Sequence, residues 1–449
     1  MILEQLADYG ARDSVRDLPA EVTHHAKRAL VDWFSALYPG TRTAPGPQLL
    51  AAHRHELGSG WSSLPGNGTT AFSSTAAWIN GSVSHAVEFD DIFRDAVYHP
   101  GCPVIAAALA VAEEHDASGA ALLNAIVVGY EISTRIGAAV QPAHYRYFHT
   151  TGTVGCFGAA AATAALAAPG DAAAMRHALA TAASFAAGLQ QAFRSDAMTK
   201  ALHAGNAANA GVRAGLGAAH GLTGAAGMLD GPVGFGAALA DNPDWSVATQ
   251  ALGERYNILH ITQKNHGCCG HTFAAIDAAL ALRATHGLAP EDIAQIDVDA
   301  YQTTLDVTGN RDPRTPFEGK FSLFYVLAHA LAHGSVRLDA FEPQRLADPA
   351  LRELMTRITL RPDPALTAAF PGQRAARVTL RTRDGTTHSH FAPYRKGDPE
   401  APLTDADLND KFDELVTPVL GPDRARRLRE QAWQLESLPV RGLRLHDDV

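Results

Sequence analysis

Acidic and histidine residues cluster between positions 85 and 103 of the chain. The segment His85-Ala-Val-Glu-Phe-Asp-Asp91 places three carboxylates beside an imidazole, and His99-Pro100 follows it. A carboxylate next to a histidine orients the ring and stabilises its charged form, as general acid–base catalysis requires. In the alternative interpretation, Asp90 and Asp91 cap a helix and His85 lies on its solvent face. We predict that His99, whose proline neighbour interrupts a helix, is an acid/base residue. Its predicted catalytic partners are Glu88, Asp90 and Asp91.

A second histidine lies in Tyr145-Arg-Tyr-Phe-His-Thr-Thr-Gly-Thr153, directly before a run of small residues. Hydroxyl residues and a glycine follow His149, a pattern that resembles a helix N-terminus whose N–H donors could hold a carboxylate. The alternative is a capping threonine with His149 packed nearby. We predict His149 as the second acid/base candidate.

The third cluster is Phe193-Arg-Ser-Asp-Ala-Met-Thr-Lys-Ala-Leu-His-Ala-Gly-Asn206. If a helix begins near Thr199, Lys200 and His203 share one of its faces. A lysine beside a histidine can hold an anion and lower the neighbouring pKa, so that one of the pair acts as a base near neutrality. The alternative is a solvated lysine and a core histidine. We predict Lys200 as catalytic, and Arg194 and His203 as substrate-binding residues.

A fourth cluster, Lys264-Asn-His-Gly-Cys-Cys-Gly-His271, contains two histidines and two cysteines and could bind zinc. Adjacent cysteines chelate tetrahedral zinc poorly, however, and there is no second Cys-x-x-Cys. We therefore predict no metal here. The glycine-flanked loop is instead expected to present three cations to an anionic ligand, with the cysteines packed beneath: Lys264, His266 and His271.

The composition excludes several classes of protein. The 449 residues carry 37 Lys and Arg against 47 Asp and Glu, a formal charge of −10, so we expect no nucleic-acid partner. Four cysteines make no disulfide framework. No signal peptide or charge-free run of about 20 apolar residues is visible, so we expect no membrane association and a cytoplasmic protein. The common cofactor motifs, such as G-x-G-x-x-G and the Walker loop, are absent from the sequence, and we predict no cofactor.

Apolar periodicity separates the chain into two predicted regions. Residues 20–260 favour successive helices, among them 106–114, 119–138 and 155–168. Residues 293–301 alternate as a strand does, and 377–391 favour a hairpin that turns at Asp384-Gly385. Further helices are predicted at 323–332 and 348–357, and Thr404 is expected to cap another at 408–415. We predict a mainly α fold, with a large helical domain at 1–262, completed by 399–449, and a smaller α+β domain at 263–398.

At its four clusters the chain resembles the MmgE/PrpD family, which includes 2-methylcitrate dehydratase, cis-aconitate decarboxylase and iminodisuccinate epimerase. The matching segments are His85–Asp91, His99-Pro100, the His149 segment, Met198–Gly205, Gly270–Asp277 and Lys411-Phe412. The resemblance implies a helical large domain closed by an α+β lid, a homodimer, and catalysis on di- or tricarboxylates without metal. By matching positions it points to Glu88, His99, His149 and Lys200.

The chain also departs from the decarboxylase and dehydratase branches. The positions of those branches that resemble Glu88 and Ile92 of this chain carry aspartate and threonine instead. At Cys269 and Leu305 it lacks the histidine and tyrosine of the decarboxylases, so we expect decarboxylation least. The preferred prediction is an epimerase of an amino- or imino-dicarboxylate such as iminodisuccinate. The alternatives are a hydro-lyase of the 2-methylcitrate dehydratase type and a non-catalytic carboxylate-binding member.

Overall fold

A computed structural model describes residues 1–194 and 197–448, apart from the side chains of Phe193 and Arg194. The structure is mainly α-helical, which confirms that part of the predicted fold class. The chain divides into two compact units. Unit 1 comprises Met1–Thr262 and Thr404–Val449, and unit 2 comprises Gln263–Leu403. Each unit has a hydrophobic core of its own.

The first part of unit 1 consists of helices and one short antiparallel hairpin, β1–β2. The predicted helices at 106–114, 119–138 and 155–168 are confirmed by the helices Gly101–Glu114, Gly119–Ala139 and Gly155–Ala167. In chain order, the elements are α1 (Ile2–Val15), α2 (Ala20–Thr41), α3 (Gly46–Ala52), β1 (Ser62–Leu64), β2 (Thr69–Ala71), α4 (Ser73–Ser84), α5 (Gly101–Glu114), α6 (Gly119–Ala139), α7 (Thr150–Thr153), α8 (Gly155–Ala167), α9 (Ala172–Ala183), α10 (Thr199–Ala219), α11 (Phe235–Leu239) and α12 (Trp245–Thr249).

Small residues let the helices of unit 1 approach closely. A Cβ atom at Gly129 of α6 would lie 2.5 Å from Val104 Cγ1 and 2.7 Å from the carbonyl oxygen of Gly158 in α8. A Cβ atom at Gly205 of α10 would lie 2.2 Å from the carbonyl oxygen of Trp78 in α4. Because the Gly158 and Trp78 carbonyl oxygens belong to the backbone, a larger side chain at either glycine would force the helices apart. The spacing of α4 and α10 therefore depends on Gly205.

Within the described residues one stretch, Thr150–Ala167, is long and apolar enough for a membrane span. It comprises α7 and α8, and 94% of it is buried inside the protein. A helix in the core of a folded domain and a membrane-spanning helix have similar compositions, because both lie in apolar surroundings.

Unit 2 contains a mixed sheet of four strands, β3 (Ile293–Ala300), β4 (Ile358–Pro362), β5 (Ala376–Thr382) and β6 (Thr387–Ala392). Their order in the sheet is β4-β3-β5-β6. Strand β3 pairs in parallel with β4 and antiparallel with β5, and β5–β6 is an antiparallel hairpin. The predicted strand, hairpin and two helices are thus confirmed, whereas β4 was not predicted. The elements are α13 (Phe273–His286), β3 (Ile293–Ala300), α14 (Gln302–Thr308), α15 (Pro316–Lys320), α16 (Leu323–His333), α17 (Pro343–Leu346), α18 (Pro349–Thr356), β4 (Ile358–Pro362), α19 (Pro364–Ala369), β5 (Ala376–Thr382) and β6 (Thr387–Ala392).

The last two helices return to unit 1. They are α20 (Asp405–Leu420) and α21 (Pro422–Trp433), and α20 packs against α2. The predicted cap is confirmed: Thr404 Oγ1 accepts a bond from the Asp407 amide, and Asp407 Oδ2 accepts one from the Thr404 amide.

Candidate active site

The crossing of α4 and α10 brings the acidic segment after α4 to the first turn of α10. The two helices touch at Gly81 and Gly205, where a Cβ atom on Gly81 would lie 3.0 Å from the Cα atom of Gly205. Lys200 of α10 forms an ion pair with Glu88, and the two side chains are only 12% and 10% exposed. Glu88 has a φ of +61°, a left-handed conformation that is uncommon for residues other than glycine. The segment is thus fixed in a strained conformation at the point where it meets a cation.

Asp90 lies between two histidines. Its Oδ2 atom is 2.7 Å from His85 Nδ1 and 3.0 Å from His99 Nδ1. His99 Nδ1 also lies 2.8 Å from the backbone carbonyl oxygen of Asp91, which can only accept a hydrogen bond. His99 Nδ1 therefore carries a hydrogen, and Nε2 is left to exchange a proton with a ligand. The carboxylate that contacts His99 is Asp90, while Glu88 pairs with Lys200.

The alternative placement of His85 on a solvent face is wrong. His85 follows α4 and is 1% exposed, and its Nδ1 atom contacts Asp90. Its ring lies 4.9 Å from that of His99 and stacks at 5.5 Å on that of His149, measured between centroids. The His85 ring thus lies next to the rings of the two predicted acid/base residues. The sequence analysis did not assign His85 a function.

His149 and His203 form a second pair of imidazoles. Their Nδ1 atoms are 3.0 Å apart, and the His149 amide donates to the carbonyl oxygen of Gly188. Burial lowers the pKa of His149 well below its usual value, with a further contribution from neighbouring cationic groups. Burial likewise lowers the pKa of His203 to about 4, assisted by His85 and Lys200. Both rings are therefore neutral at pH 7, and a neutral imidazole can accept a proton.

Asp91 has a different environment from Asp90. Its Oδ1 accepts a bond from the Gly101 amide at the start of α5, and its Oδ2 accepts one from the Tyr130 hydroxyl. Burial raises the pKa of Asp91 to about 7, with a further contribution from Asp32, although the Tyr130 and Gly101 bonds oppose the shift. The side chain of Asp91 therefore links α5 to α6, and its carbonyl contacts His99.

The site contains a group that could hold a metal ion. Ligand atoms of His85, Asp90 and His99 lie within 4.8 Å of one another. Coordination needs a lone pair on each nitrogen. The contact between His99 Nδ1 and the Asp91 carbonyl requires a hydrogen on that nitrogen, so His99 could coordinate an ion only through Nε2.

The remaining predicted residues are Arg194, Lys264, His266 and His271. The side chain of Arg194 lies outside the described residues. In unit 2, Lys264 and His266 are buried, and His266 Nε2 lies 2.9 Å from Asp277 Oδ1. Asp277 Oδ2 accepts a bond from the Lys396 amide. The structure therefore gives His266 a carboxylate partner of its own.

Sequence reasoning missed a histidine–tyrosine pair in unit 2. His271 Nδ1 lies 2.7 Å from the hydroxyl of Tyr301, the residue that follows β3. Burial lowers the pKa of His271 well below its usual value, and Arg374 and Arg395 lower it further. Tyr301 also stacks on Phe370 at 4.8 Å. The available signal was a polar aromatic residue directly after a strand, but the pairing with His271 joins positions 30 residues apart and has no local pattern.

Comparison with known protein families covers most of the chain. Residues 4–248 match the MmgE/PrpD N-terminal domain, and residues 266–437 match the MmgE/PrpD C-terminal domain. The chain belongs to the MmgE/PrpD family. The resemblance found at the four sequence clusters is thereby confirmed.

Curated relatives in the MmgE/PrpD family carry decarboxylase names. A cis-aconitate decarboxylase-like protein, OryM, of Aspergillus oryzae is 28% identical over 94% of this chain and 92% of its own length. The cis-aconitate decarboxylases of Mus musculus and Homo sapiens are 28% and 29% identical, over 81% of this chain and 76% of theirs. This chain is therefore an enzyme of the MmgE/PrpD family.

Proposed function

We propose that this enzyme is a lyase that acts on a small di- or tricarboxylate and transfers a proton at a carbon next to a carboxylate. The observation that carries the proposal is the contrast between two histidines. His99 contacts the carboxylate of Asp90, which stabilises an imidazolium, whereas His149 is kept neutral by burial. A histidine beside a carboxylate and a histidine kept neutral by burial suit the roles of acid and base.

The two rings are placed to act on one ligand. Their centroids are 6.5 Å apart and their planes are nearly perpendicular. His149 is the proposed base because its lowered pKa leaves a lone pair at neutral pH. His99 is the proposed acid because Asp90 balances the charge that it carries before it gives up its proton.

Lys200 supplies the positive charge that the reaction needs. Removing a proton or carbon dioxide beside a carboxylate develops negative charge, which a fixed cation stabilises. Lys200 lies at the first turn of α10 and pairs with Glu88 in the structure. A substrate carboxylate would compete with Glu88 for this ammonium group. Arg194, His203, Lys264, His266 and His271 remain proposed as further binding residues.

Decarboxylation of cis-aconitate is the first lyase reaction to test. The relatives that carry this name match most of the chain. The sequence argument against it was the lack of a histidine and a tyrosine at Cys269 and Leu305. His271 and Tyr301 form a pair of the same two residue types within the same unit, which weakens this argument. Dehydration of a 2-methylcitrate-like substrate is the second lyase reaction to test, and epimerisation is retained as an outcome of the experiment.

Proton NMR in D₂O distinguishes these reactions. The enzyme is incubated with cis-aconitate, 2-methylcitrate and iminodisuccinate in turn. Decarboxylation gives a product with one carbon fewer and one solvent deuteron, because the carbanion left by carbon dioxide is protonated. Dehydration gives a new alkene, whereas exchange of an α-proton with inversion indicates an epimerase and would replace the lyase proposal. No change in any substrate would contradict the proposed chemistry.

Two further expectations rest on the family resemblance and remain proposals: that unit 2 acts as a lid and that two copies form a homodimer. The cytoplasmic location expected from the sequence also remains a proposal. Light scattering of the purified protein gives its mass in solution. A mass of twice 47.4 kDa is expected, and a mass of one chain would contradict the dimer.

A further inference from the structure

Lys411 of α20 contacts the segment that carries the candidate carboxylates. It is 1% exposed, and its Nζ atom donates to Asp32 Oδ1 of α2 at 2.7 Å and to the backbone carbonyl oxygen of Phe89 at 2.9 Å. The ammonium also lies 4.9 Å from the centroid of the Phe89 ring. A residue near the end of the chain thus bonds to the backbone of the acidic segment.

The position of this bond matters because Phe89 lies between the two carboxylates that contact cations. Glu88 precedes it and pairs with Lys200, and Asp90 follows it and contacts His99. Glu88 has a left-handed φ of +61°, which an L-residue adopts only when its surroundings hold it there. A bond to the Phe89 carbonyl fixes the peptide unit directly after this strained residue.

Asp32 is the second ligand of the Lys411 ammonium group. Burial raises the pKa of Asp32, and the charge of Lys411 opposes the shift. Asp90 raises the pKa of Asp32, and Asp32 in turn raises that of Asp91, so the three carboxyl groups interact electrostatically. A buried cation beside them reduces this repulsion.

We propose that Lys411 is a positioning residue for the acid–base site. Through the Phe89 carbonyl it sets the conformation of residues 87–91, directing Glu88 towards Lys200 and Asp90 towards His99. It acts through these residues and does not touch the substrate. For its catalytic consequence the inference rests on the proposed function, but the conformation of residues 87–91 can be measured without a substrate.

The test uses Asp32→Asn and the double variant Asp32→Asn/Lys411→Met. The single variant removes the carboxylate charge but keeps the Lys411 ammonium group, which can still donate to the Phe89 carbonyl and to the amide oxygen at position 32. The double variant removes that bond without leaving an unpaired buried charge. The matched control is Arg424→Met/Asp448→Asn. It removes another largely buried ion pair, between α21 and a residue after it, with an Nε–Oδ1 distance of 2.6 Å.

We expect the double variant to fold, with kcat lowered at least tenfold, KM changed less than threefold, and residues 87–91 displaced in its crystal structure. Asp32→Asn and the control should keep kcat within threefold of wild type. The proposal is wrong if the double variant keeps wild-type kcat and the wild-type conformation of residues 87–91. If it does not fold, Lys411→Gln, whose shorter neutral side chain cannot keep both bonds, is measured in the same way.

If the wild-type enzyme converts none of the substrates, the proposed function fails, and the conformation of residues 87–91 in the variants still decides the inference.

Discussion

The Nδ1 atoms of His149 and His203 lie 3.0 Å apart, so one hydrogen is shared between two neutral rings. If His149 donates this hydrogen, its Nε2 has the lone pair that a base needs, and His203 Nδ1 is the acceptor. The pair thereby couples the tautomers of the two rings. His203 can in this way affect catalysis by selecting the tautomer of its neighbour.

Replacing His203 by Gln should therefore lower kcat by roughly ten- to a hundredfold, since His149 loses the acceptor that selects its tautomer. Nitrogen-15 NMR of histidine-labelled protein reports which nitrogen of His149 carries the hydrogen. His220→Gln, at the exposed end of the same helix, is the matched control and should leave kcat unchanged. An unchanged His149 signal in His203→Gln would show that the contact does not select the tautomer.

Asp90→Asn should lower kcat/KM by about a hundredfold, because an amide cannot balance the charge of a protonated His99. The fold should persist, since the amide oxygen can still accept from the histidines. Steady-state kinetics with the substrate found in D₂O measures the effect. Cys102→Ser is a control, because Cys102 Sγ contacts the same Oδ2 atom at 3.3 Å without being an acid or base candidate. Equal losses in both variants would point to disturbed packing.

The stability of the protein should depend on the ionisation of Asp91. Its pKa of about 7 in the folded state lies above the usual 3.8, so the folded state binds the extra proton between these values. Its contribution to stability is complete below about pH 4 and is lost as the pH rises through 7. Asp91→Asn does not ionise, so its free energy of unfolding relative to wild type should rise by a few kcal/mol between pH 4 and 7.

Denaturant unfolding of wild type and Asp91→Asn at several pH values measures this difference. His203, whose pKa is lowered to about 4, acts in the opposite direction, because its stabilising contribution is lost as the pH falls. Comparing the two proteins at each pH cancels the His203 contribution. A difference that does not change with pH would contradict the raised pKa of Asp91.

Gly205→Ala tests whether the helix crossing positions the site. The new Cβ atom would lie 2.1 Å from Ser82 Oγ and 2.2 Å from the Trp78 carbonyl oxygen, so α4 and α10 must separate. We expect a loss of about 2–3 kcal/mol in stability, as for other overpacked cores, together with reduced turnover because Lys200 moves away from Glu88. Gly372→Ala, where the nearest atom is 3.5 Å away, is the control. Wild-type stability in Gly205→Ala would show that the crossing tolerates a methyl group.

The sequence predicted the types of the site residues better than their partners. His99, His149 and Lys200 were identifiable because their neighbours in sequence suggest acid–base chemistry. The sequence did not identify which carboxylate contacts which cation, because Glu88 and Lys200 are 112 residues apart and meet only through the α4–α10 crossing. The pairing of His271 with Tyr301 was missed for the same reason.

The fold shows the same division between local and long-range information. Strand β3 was predictable because Ile296 and Val298 alternate with half-exposed residues. Strand β4 was not, since only its first residue, Ile358, is buried and the rest show no alternation. Its place in the sheet depends on the parallel pairing of Ile296 with Ile358, which no local pattern encodes.

Deuterium incorporation from solvent tests the central claim, that His99 and His149 transfer a proton to or from the substrate. Wild type, His99→Gln, His149→Gln and the control His220→Gln are incubated with the converted substrate in D₂O, and the product is analysed by NMR. If the reaction is decarboxylation, we predict one solvent deuteron per product molecule for wild type and control; if it is dehydration, the alkene forms without solvent deuterium. In either case turnover should be reduced at least about a hundredfold in both site variants. Full turnover in His99→Gln and His149→Gln would contradict the assignment.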